Sequence, residues 1–290
     1  LFVVLIFFTC SLLSKSAAVS LPVVIVLLDI FYRSQFKWKQ LIEKIPFFAL
    51  SVWFGMIAIK SQSEFDAIIT LDQYSFIERL LFPFYAFSFY IVQLFLPIKL
   101  SILHVYPQTG ELPIIYYFSP ILILIIIYLI IRLKSIRKQL MFGLLFFMGT
   151  IVLVLQIIPV GKAIVAERYA YIPYLGLYYI LLVIVLKITE KSNKKHLNYI
   201  YAFCFVLILT YSLIANNRIK QWQNGQMIFS DMIKDYPEEP IGYVNRGMAY
   251  YYGFTKDNEI DYLKARKDFH KALNFDENNI KAVFNRGNTF

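Results

Sequence analysis

Long apolar runs, separated by short charged connections, constrain the fold of this chain more than any other feature of the sequence. The chain contains 59% hydrophobic and 18% aromatic residues, with a mean hydropathy of +0.58, whereas a soluble globular protein is about 45–50% apolar. An α-helix needs about 20 apolar residues to cross the hydrocarbon core of a bilayer. The sequence therefore predicts an all-α fold whose residues 1–215 form a polytopic membrane region. Its expected spans lie at about 45–60, 113–131, 140–158, 172–188 and 197–215, after two shorter apolar runs within residues 1–31.

The formal net charge of +10 indicates membrane topology rather than an affinity for nucleic acid. Residues 1–215 contain 18 Lys and Arg against 9 Asp and Glu, whereas residues 216–290 contain 11 against 10. The positive excess thus lies between the apolar runs, as it does in the cytoplasmic connections of membrane proteins. We expect the lipid bilayer, and no nucleic acid, as a partner. Cys10 and Cys204 lie inside apolar runs, where a core position is more frequent than a disulfide or a metal site.

Three connections, at about 33–44, 132–138 and 187–195, carry four Lys or Arg each and are expected to face the cytoplasm. All three connections can lie on the cytoplasmic side only if the apolar run at 80–98 does not cross the membrane, or if the chain contains one further span that the sequence does not reveal. Pro83 and Pro97 near the ends of that run favour an interfacial helix or a re-entrant hairpin. The loop at 159–171 and all residues after 215 then share the non-cytoplasmic side.

A helical repeat follows residue 215, where the composition becomes polar. The sequence YVNRGMAY at 243–250 recurs in part as VFNRG at 283–287. Tetratricopeptide (TPR) units of about 34 residues repeat small and aromatic residues at fixed positions on two helices. Residues 216–290 are therefore interpreted as about two TPR repeats of a soluble α-solenoid, incomplete at the end, and a simple amphipathic hairpin is the alternative. The residues expected to pack the repeats are Tyr243, Gly247, Tyr250, Ala265, Phe269, Ala272 and Gly287.

Both ends of the sequence suggest a piece of a longer protein. The chain begins at Leu1 inside an apolar run, and it ends at Phe290 within a repeat. TPR units bury their apolar faces only on neighbouring units, so we expect the array to continue beyond Phe290. Its concave surface is expected to bind a peptide or protein partner.

The stretch KAIVAERYAYIP at 162–173 combines opposite charges with tyrosines between two apolar runs. A guanidinium group matches phosphate oxygens at two points, so Arg168 is a candidate for binding a lipid phosphate, with Glu167 holding the guanidinium in position. A juxtamembrane ion pair explains the two charges equally well, and an interfacial aromatic belt explains Tyr169 and Tyr171. Further candidates for binding the lipid phosphate or substrate are Lys15, Lys162 and Lys99.

Residues for other chemistry are few. Lys15 interrupts an apolar run, where a lysine either extends its charge to the bilayer surface or lies near a lipid phosphate. The histidines, His104, His196 and His270, are far apart in the sequence, so no metal triad is expected, and the last two are expected to be solvated. The fallback acids are Glu64, Asp66 and Asp72, whose polar loop explains them as solvated residues.

Several short motifs occur in an order that resembles a known membrane family. The motifs are LLSKSAAVSLP at 12–22, LFLPIKLSILHVYP at 94–107, AERYAYIPYLG at 166–176, and Arg218 with Trp222 ahead of the repeats. Over nearly the whole chain, this order resembles that of the transmembrane and TPR-containing protein O-mannosyltransferases and their bacterial relatives. The form of the motifs favours a bacterial inner membrane.

The resemblance implies a partial glycosyltransferase-C-like (GT-C-like) fold. Such an enzyme takes a sugar from a polyprenyl-phosphate carrier and transfers it, outside the cytoplasm, to a hydroxyl of a protein acceptor. The acidic residues that act as base or metal ligands in that fold are expected upstream of Leu1. No catalytic residue is therefore named, and a divalent metal cofactor stays open. A catalytically inactive, membrane-anchored TPR scaffold is the alternative, and a transporter is disfavoured because residues 1–215 show no internal repeat.

Overall fold

The computed structural model of the chain describes residues 2–33, 38–64, 74–108, 110–157, 161, 163–190 and 192–290, most of which are helical. Contacts between residues divide the chain into two compact units. The first comprises Leu1–Ile98 and His104–Glu190, and the second comprises Lys99–Leu103 and Lys191–Phe290. The predicted helical character is confirmed, and the first unit adds a short pair of strands that the sequence did not predict.

The helices of the first unit follow the apolar runs of the sequence. They are α1 (Phe2–Ser14), α2 (Leu21–Tyr32), α3 (Trp38–Ile42), α4 (Ile45–Glu64), α5 (Phe76–Phe95), α6 (Ile114–Arg132), α7 (Arg137–Ile151) and α8 (Tyr174–Thr189). The strands β1 (His104–Val105) and β2 (Ala163–Val165) pair antiparallel. Short 3-10 helices lie at Ser16–Ser20, Lys134–Ile136, Val152–Val154 and Glu167–Tyr169.

Four helical stretches among the described residues are long and apolar enough to cross a membrane. They are Trp38–Gln62, Ile114–Arg132, Lys134–Val154 and Lys194–Gln221, and they coincide with the expected spans at 45–60, 113–131, 140–158 and 197–215. The expected span at 172–188 corresponds to α8, which is shorter than these four. The apolar helical stretches Phe2–Ser14 and Ser16–Tyr32 are short as well.

Helix α5 is continuous from Phe76 to Phe95, so the re-entrant hairpin considered for 80–98 is wrong. The helix starts before the apolar run because Ser75 and Glu78 form a capping box. Ser75 N–H donates to Glu78 Oε2 at 2.7 Å, and Glu78 N–H donates to Ser75 Oγ at 3.3 Å. Pro83 therefore lies inside the helix. Burial of one helix face, including Phe82, offsets the hydrogen bond that proline cannot donate.

The core of the first unit is built around the buried face of α5. The rings of Phe87 and Phe147 meet edge to face with centroids 5.4 Å apart, and those of Tyr85 and Tyr116 stack at 3.9 Å. This core connects α5 to α6, α7, β2 and α8, and so fixes the segment that follows β2. Its buried members are Tyr74, Phe82, Ala86, Phe87, Tyr90, Leu94, Tyr116, Phe147, Ile151, Leu155, Ile164, Val165, Ala170 and Leu177.

The second unit consists of helices joined by short connections. They are α9 (Lys194–Gln221), α10 (Gly225–Asp235), α11 (Pro240–Tyr251), α12 (Tyr262–Phe275) and α13 (Ile280–Gly287). Asn or Asp side chains cap α9, α10, α12 and α13 by accepting a hydrogen bond from a backbone N–H three residues later. Helix α9 continues through residue 215, where the sequence places the boundary of the membrane region, and ends at Gln221.

Close packing joins α11 to α12. Gly247 lies so near Phe269 that a Cβ at position 247 would approach the phenyl ring to 2.7 Å. Ala265, Phe269 and Ala272 are completely buried, Tyr243 is buried and Tyr250 is half-buried. Gly287 differs from Gly247: it is exposed, and an added Cβ would meet nothing within 4 Å. The packing role expected for Gly287 stays a prediction, since no described residue lies close enough to test it.

Candidate functional site

The two strands place the predicted ERY motif at the surface of the first unit. His104 pairs with Val165 and Val105 with Ala163, so the end of β2 lies beside the start of β1. The chain then turns through the 3-10 helix Glu167–Tyr169. All three residues of β2 are buried, so they anchor a turn whose own side chains reach outward.

Tyr90 of α5 fixes the backbone immediately before this turn. Its hydroxyl donates to the carbonyl oxygen of Ala166 and accepts from the N–H of the same residue, both at 3.2 Å. The hydroxyl of Tyr174 in turn donates to the backbone carbonyl of Tyr90 at 2.8 Å. Tyr90 and Ala166 are completely buried. The 3-10 turn is thus attached to the core helix on one side and to the start of α8 on the other.

Replacing Tyr90 by phenylalanine is expected to lower the free energy of unfolding by about 1–3 kcal/mol, because two buried backbone groups of Ala166 lose their partner. Chemical unfolding in detergent micelles, followed by circular dichroism, measures this loss. Tyr178→Phe is the matched control, since Tyr178 is an exposed tyrosine of α8, and its change is expected to stay within about 0.5 kcal/mol. Equal stability of the two variants would contradict the anchoring role of Tyr90.

Glu167 lies against His104, a residue that the sequence did not single out for the site. The distance between His104 Nε2 and Glu167 Oε1 is 3.0 Å, and the His104 side chain is only 10% exposed. The ring of Phe89 packs on the imidazole with centroids 4.9 Å apart. The partners are 63 residues apart in sequence, so no local sequence pattern predicts that they are in contact. The sequence signal for His104 is its position in the motif LFLPIKLSILHVYP at 94–107.

Arg168 lies exposed on the same turn. Its Nη2 donates to the Tyr169 hydroxyl at 3.2 Å, and its guanidinium carbon is 4.8 Å from the centroid of the Tyr169 ring. A cation held against an aromatic ring at an exposed site gains about 0.5–1 kcal/mol. Tyr171, two residues beyond Tyr169, is 86% exposed. The turn therefore presents guanidinium donors and phenolic hydroxyls together, which is chemistry suited to an anionic oxygen ligand.

A second hydrogen-bonded group supports β2 from the opposite side. The Tyr106 hydroxyl donates to Gln156 Oε1 at 2.6 Å, and Gln156 Nε2 donates to the carbonyl of Ala163 at 2.9 Å. Burial raises the pKa of the Tyr106 hydroxyl, which stays a neutral donor. Gln156 has a φ of 60°, a left-handed conformation that is uncommon outside glycine. The contacts of its side chain stabilise this conformation.

The other predicted site residues are dispersed. Lys15 is exposed and precedes the 3-10 helix Ser16–Ser20, which packs with α1 and α4 around Phe8, Leu12 and Phe47. Lys99 is exposed and belongs to the second compact unit. His196 and His270 are exposed, as expected. Lys162, Asp66, Asp72 and the side chain of Glu64 lie outside the described residues.

The described part of the chain contains no cluster of side chains that could bind a metal ion. No group of three or more His, Cys, Asp or Glu residues that could hold a metal ion occurs within it. The pair of His104 and Glu167 supplies two ligand types but no third. Arg168, Glu167, Tyr169 and His104 form the candidate site, whose exposed guanidinium and adjacent phenol groups are hydrogen-bond donors.

No protein-family model, curated protein or solved structure matches this chain.

Proposed function

We propose that this chain belongs to a membrane glycosyltransferase of GT-C type that transfers a sugar from a polyprenyl-phosphate carrier to a protein hydroxyl. The observation that carries the proposal is the exposed guanidinium of Arg168, presented next to the Tyr169 hydroxyl on a turn anchored by Tyr90. A site for a lipid phosphate needs such fixed donors near a membrane surface.

The chemistry assigned to Arg168 is stabilisation of the phosphate that leaves when the sugar is transferred. Negative charge develops on that phosphate in the transition state, and donors already held in position stabilise it without reorganisation. The planar guanidinium group can bind two phosphate oxygens at once. Glu167 supports this role indirectly, since its bond to His104 ties the turn to β1. The general base that takes the acceptor proton is not assigned to a residue of this chain.

The proposal includes a membrane location. The four long apolar helices, the shorter apolar helix α8 as a fifth crossing, and the three basic connections support a multi-pass protein of a bacterial inner membrane, with the ERY turn and the second unit on the non-cytoplasmic side. The connections at 33–44, 132–138 and 187–195 then face the cytoplasm.

The second unit is proposed to contain TPR repeats that bind the acceptor or another protein. The close contact of Gly247 with Phe269 and the buried Ala265 and Ala272 support this assignment, since small residues at helix crossings are part of the TPR pattern. The same packing favours a second candidate function, a membrane-anchored TPR scaffold without transfer activity.

Arg168→Ala is expected to abolish sugar transfer while leaving membrane insertion intact, because Arg168 is exposed and lies outside the apolar helices. The test uses the native protein that contains this sequence, reconstituted in vesicles with a radiolabelled polyprenyl-phosphate sugar and a candidate acceptor protein. Transfer of label to the acceptor is the readout. Arg168→Lys retains one cation without the bidentate geometry, and it is expected to keep only part of the activity.

Arg132→Ala is the matched control, since it removes an exposed arginine at the end of α6. Its activity is expected to equal that of the unaltered protein. Full activity of Arg168→Ala would remove Arg168 from the site. Absence of transfer by the unaltered protein with every donor, together with tight capture of a protein partner by the second unit, would establish the scaffold instead.

A further inference from the structure

The connection between α11 and α12, together with the first two residues of α12, exposes five large apolar side chains. Phe254 of the connection is 62% exposed, Leu263 of α12 is 78% exposed, and three neighbours in sequence are also exposed. We name this surface the aromatic turn; its members are Tyr252, Phe254, Ile260, Tyr262 and Leu263. The ring of Tyr251 contacts those of both Tyr252 and Tyr262, which brings the two ends of the segment together, and clustered exposed apolar side chains mark a site that contacts a membrane or another molecule.

Backbone hydrogen bonds define the start of the aromatic turn. Gly253 has a φ of 72°, and the N–H of Phe254 donates to the carbonyl of Ala249 at 2.8 Å, which is the Schellman arrangement at a helix C-terminus. The rings of Tyr252 and Phe254 lie with centroids 6.0 Å apart. The bend at Gly253 thus places the exposed rings of Tyr252 and Phe254 side by side.

The fold places this turn beside the point where α9 ends. The N–H of Gln226 donates to the carbonyl of Phe254 at 3.2 Å, and a Cβ at Gly225 would come within 2.9 Å of Ala249. Gly225 follows the end of α9 at Gln221 after only three residues. In addition, Arg218 of α9 forms an ion pair with Asp231 of α10. The aromatic turn is therefore fixed relative to the last turns of α9.

The length of α9 indicates where its C-terminal end lies relative to the surface of the bilayer. Its apolar part ends at about residue 215, and the polar residues 216–221 continue the helix for about 9 Å at ~1.5 Å per residue. The polar layer on each side of a bilayer is about 5–8 Å thick. The end of α9, with the half-exposed indole of Trp222, thus lies close to the outer limit of that layer when α9 crosses the membrane.

We propose that the aromatic turn and Trp222 dock on the lipid surface and hold the helices of the second unit against the bilayer. The inference rests on the membrane crossing of α9, which belongs to the proposed function. Tyr and Trp side chains concentrate at the headgroup level of bilayers because their rings are apolar and their polar atoms stay hydrated, and Phe and Leu insert at the boundary between headgroups and acyl chains. The connection carries one positive charge, Lys256, and three negative charges, Asp257, Glu259 and Asp261, so it has no positive excess that would attract anionic lipid. Docking therefore depends on apolar insertion and does not require anionic lipid.

Spin labels in the whole chain test this docking. Cys10 and Cys204 are first replaced by serine, and one cysteine at a time is introduced by Phe254→Cys, Leu263→Cys, Phe284→Cys or Val206→Cys. Each labelled protein is placed as a single copy in phosphatidylcholine nanodiscs. The accessibility of the label to oxygen, which dissolves in lipid, is compared with its accessibility to a water-soluble nickel chelate. Phe284 is the matched control, because it is an exposed phenylalanine of α13 in the same unit.

Labels at 254 and 263 are expected to show an oxygen-to-nickel accessibility ratio several-fold higher than the label at 284, and the ratio is expected to persist when anionic lipid is added. Equal ratios at 254, 263 and 284, while the label at 206 lies in lipid, would overturn the docking and leave the crossing of α9 intact. A water-exposed label at 206 would overturn the crossing itself. Protection that appears only in discs with two copies would assign the surface to a second copy, and this also overturns lipid docking.

Discussion

The Gly176→Ala variant is expected to lose the packing of α7 against α8 and, with it, at least about 3 kcal/mol of folding free energy. A Cβ at Gly176 would lie 2.4 Å from the carbonyl oxygen of Gly143 and 2.9 Å from the backbone nitrogen of Phe147. Overpacking a protein interior costs about 1–3 kcal/mol, and occasionally more. Here the cost lies at the upper end because the obstructing atoms belong to backbone, which cannot change rotamer.

Gly143 makes the same contact from the other helix. Its added Cβ would lie 2.6 Å from the carbonyl oxygen of Gly176 and 2.5 Å from Cγ1 of Ile180. Small residues that let two helix backbones approach closely are common at helix crossings in membrane proteins. The Gly143→Ala and Gly176→Ala losses should therefore not add, because the first substitution already separates the helices.

The measurement is chemical unfolding in detergent micelles, with Gly55→Ala as the matched control. Gly55 lies in the interior of α4, and an added Cβ there would meet nothing within 4 Å. Alanine in place of a helical glycine gains up to about 1 kcal/mol, so this control is expected to be neutral or stabilised. Gly176→Ala with the stability of Gly55→Ala would show that the close approach of α7 and α8 is absent in solution.

The long apolar helices could be predicted because their signal is local. Runs of apolar residues interrupted by charged connections predict the positions of α4, α6 and α9 directly. The start of α5 was harder to predict, since the capping pair of Ser75 and Glu78 precedes the apolar run. Pro83 also misled the prediction of this helix, because it lies inside α5 and does not end it. Proline usually ends a helix, but tertiary burial of the surrounding face overrides this preference.

The candidate site could be predicted only in part. The ERY motif drew attention to Arg168 and Tyr169, which do lie together on an exposed turn. That Glu167 holds the guanidinium stays a prediction, and the contact of its carboxylate with His104, 63 residues earlier, was not predicted. Nothing near either residue in the sequence indicates that contact. It arises because β1 and β2 pair, and two strands of two and three residues leave almost no pattern to detect.

The repeat pattern predicted the contacting faces of α11 and α12, and the pair formed by Gly247 and Phe269 allows a test of that packing. Phe269→Ala is expected to cost about 3–5 kcal/mol, because the ring is completely buried. Gly247→Ala is expected to cost about 1–3 kcal/mol, because its new Cβ would lie 2.7 Å from that ring. Gly287→Ala, the matched control at the equivalent position of α13, meets open space and is expected to be neutral or slightly stabilising.

The double variant separates a specific contact from general loss of stability. Once Phe269→Ala has removed the ring, the new methyl group of Gly247→Ala has room, and the helix propensity of alanine should make the second substitution favourable by up to about 1 kcal/mol. The effect of Gly247→Ala is thus expected to change sign between the two backgrounds. The ion pair of Arg246 and Asp268, at 2.7 Å across the same helices, remains in every variant. Additive losses in the double variant would mean that Gly247 and Phe269 do not touch.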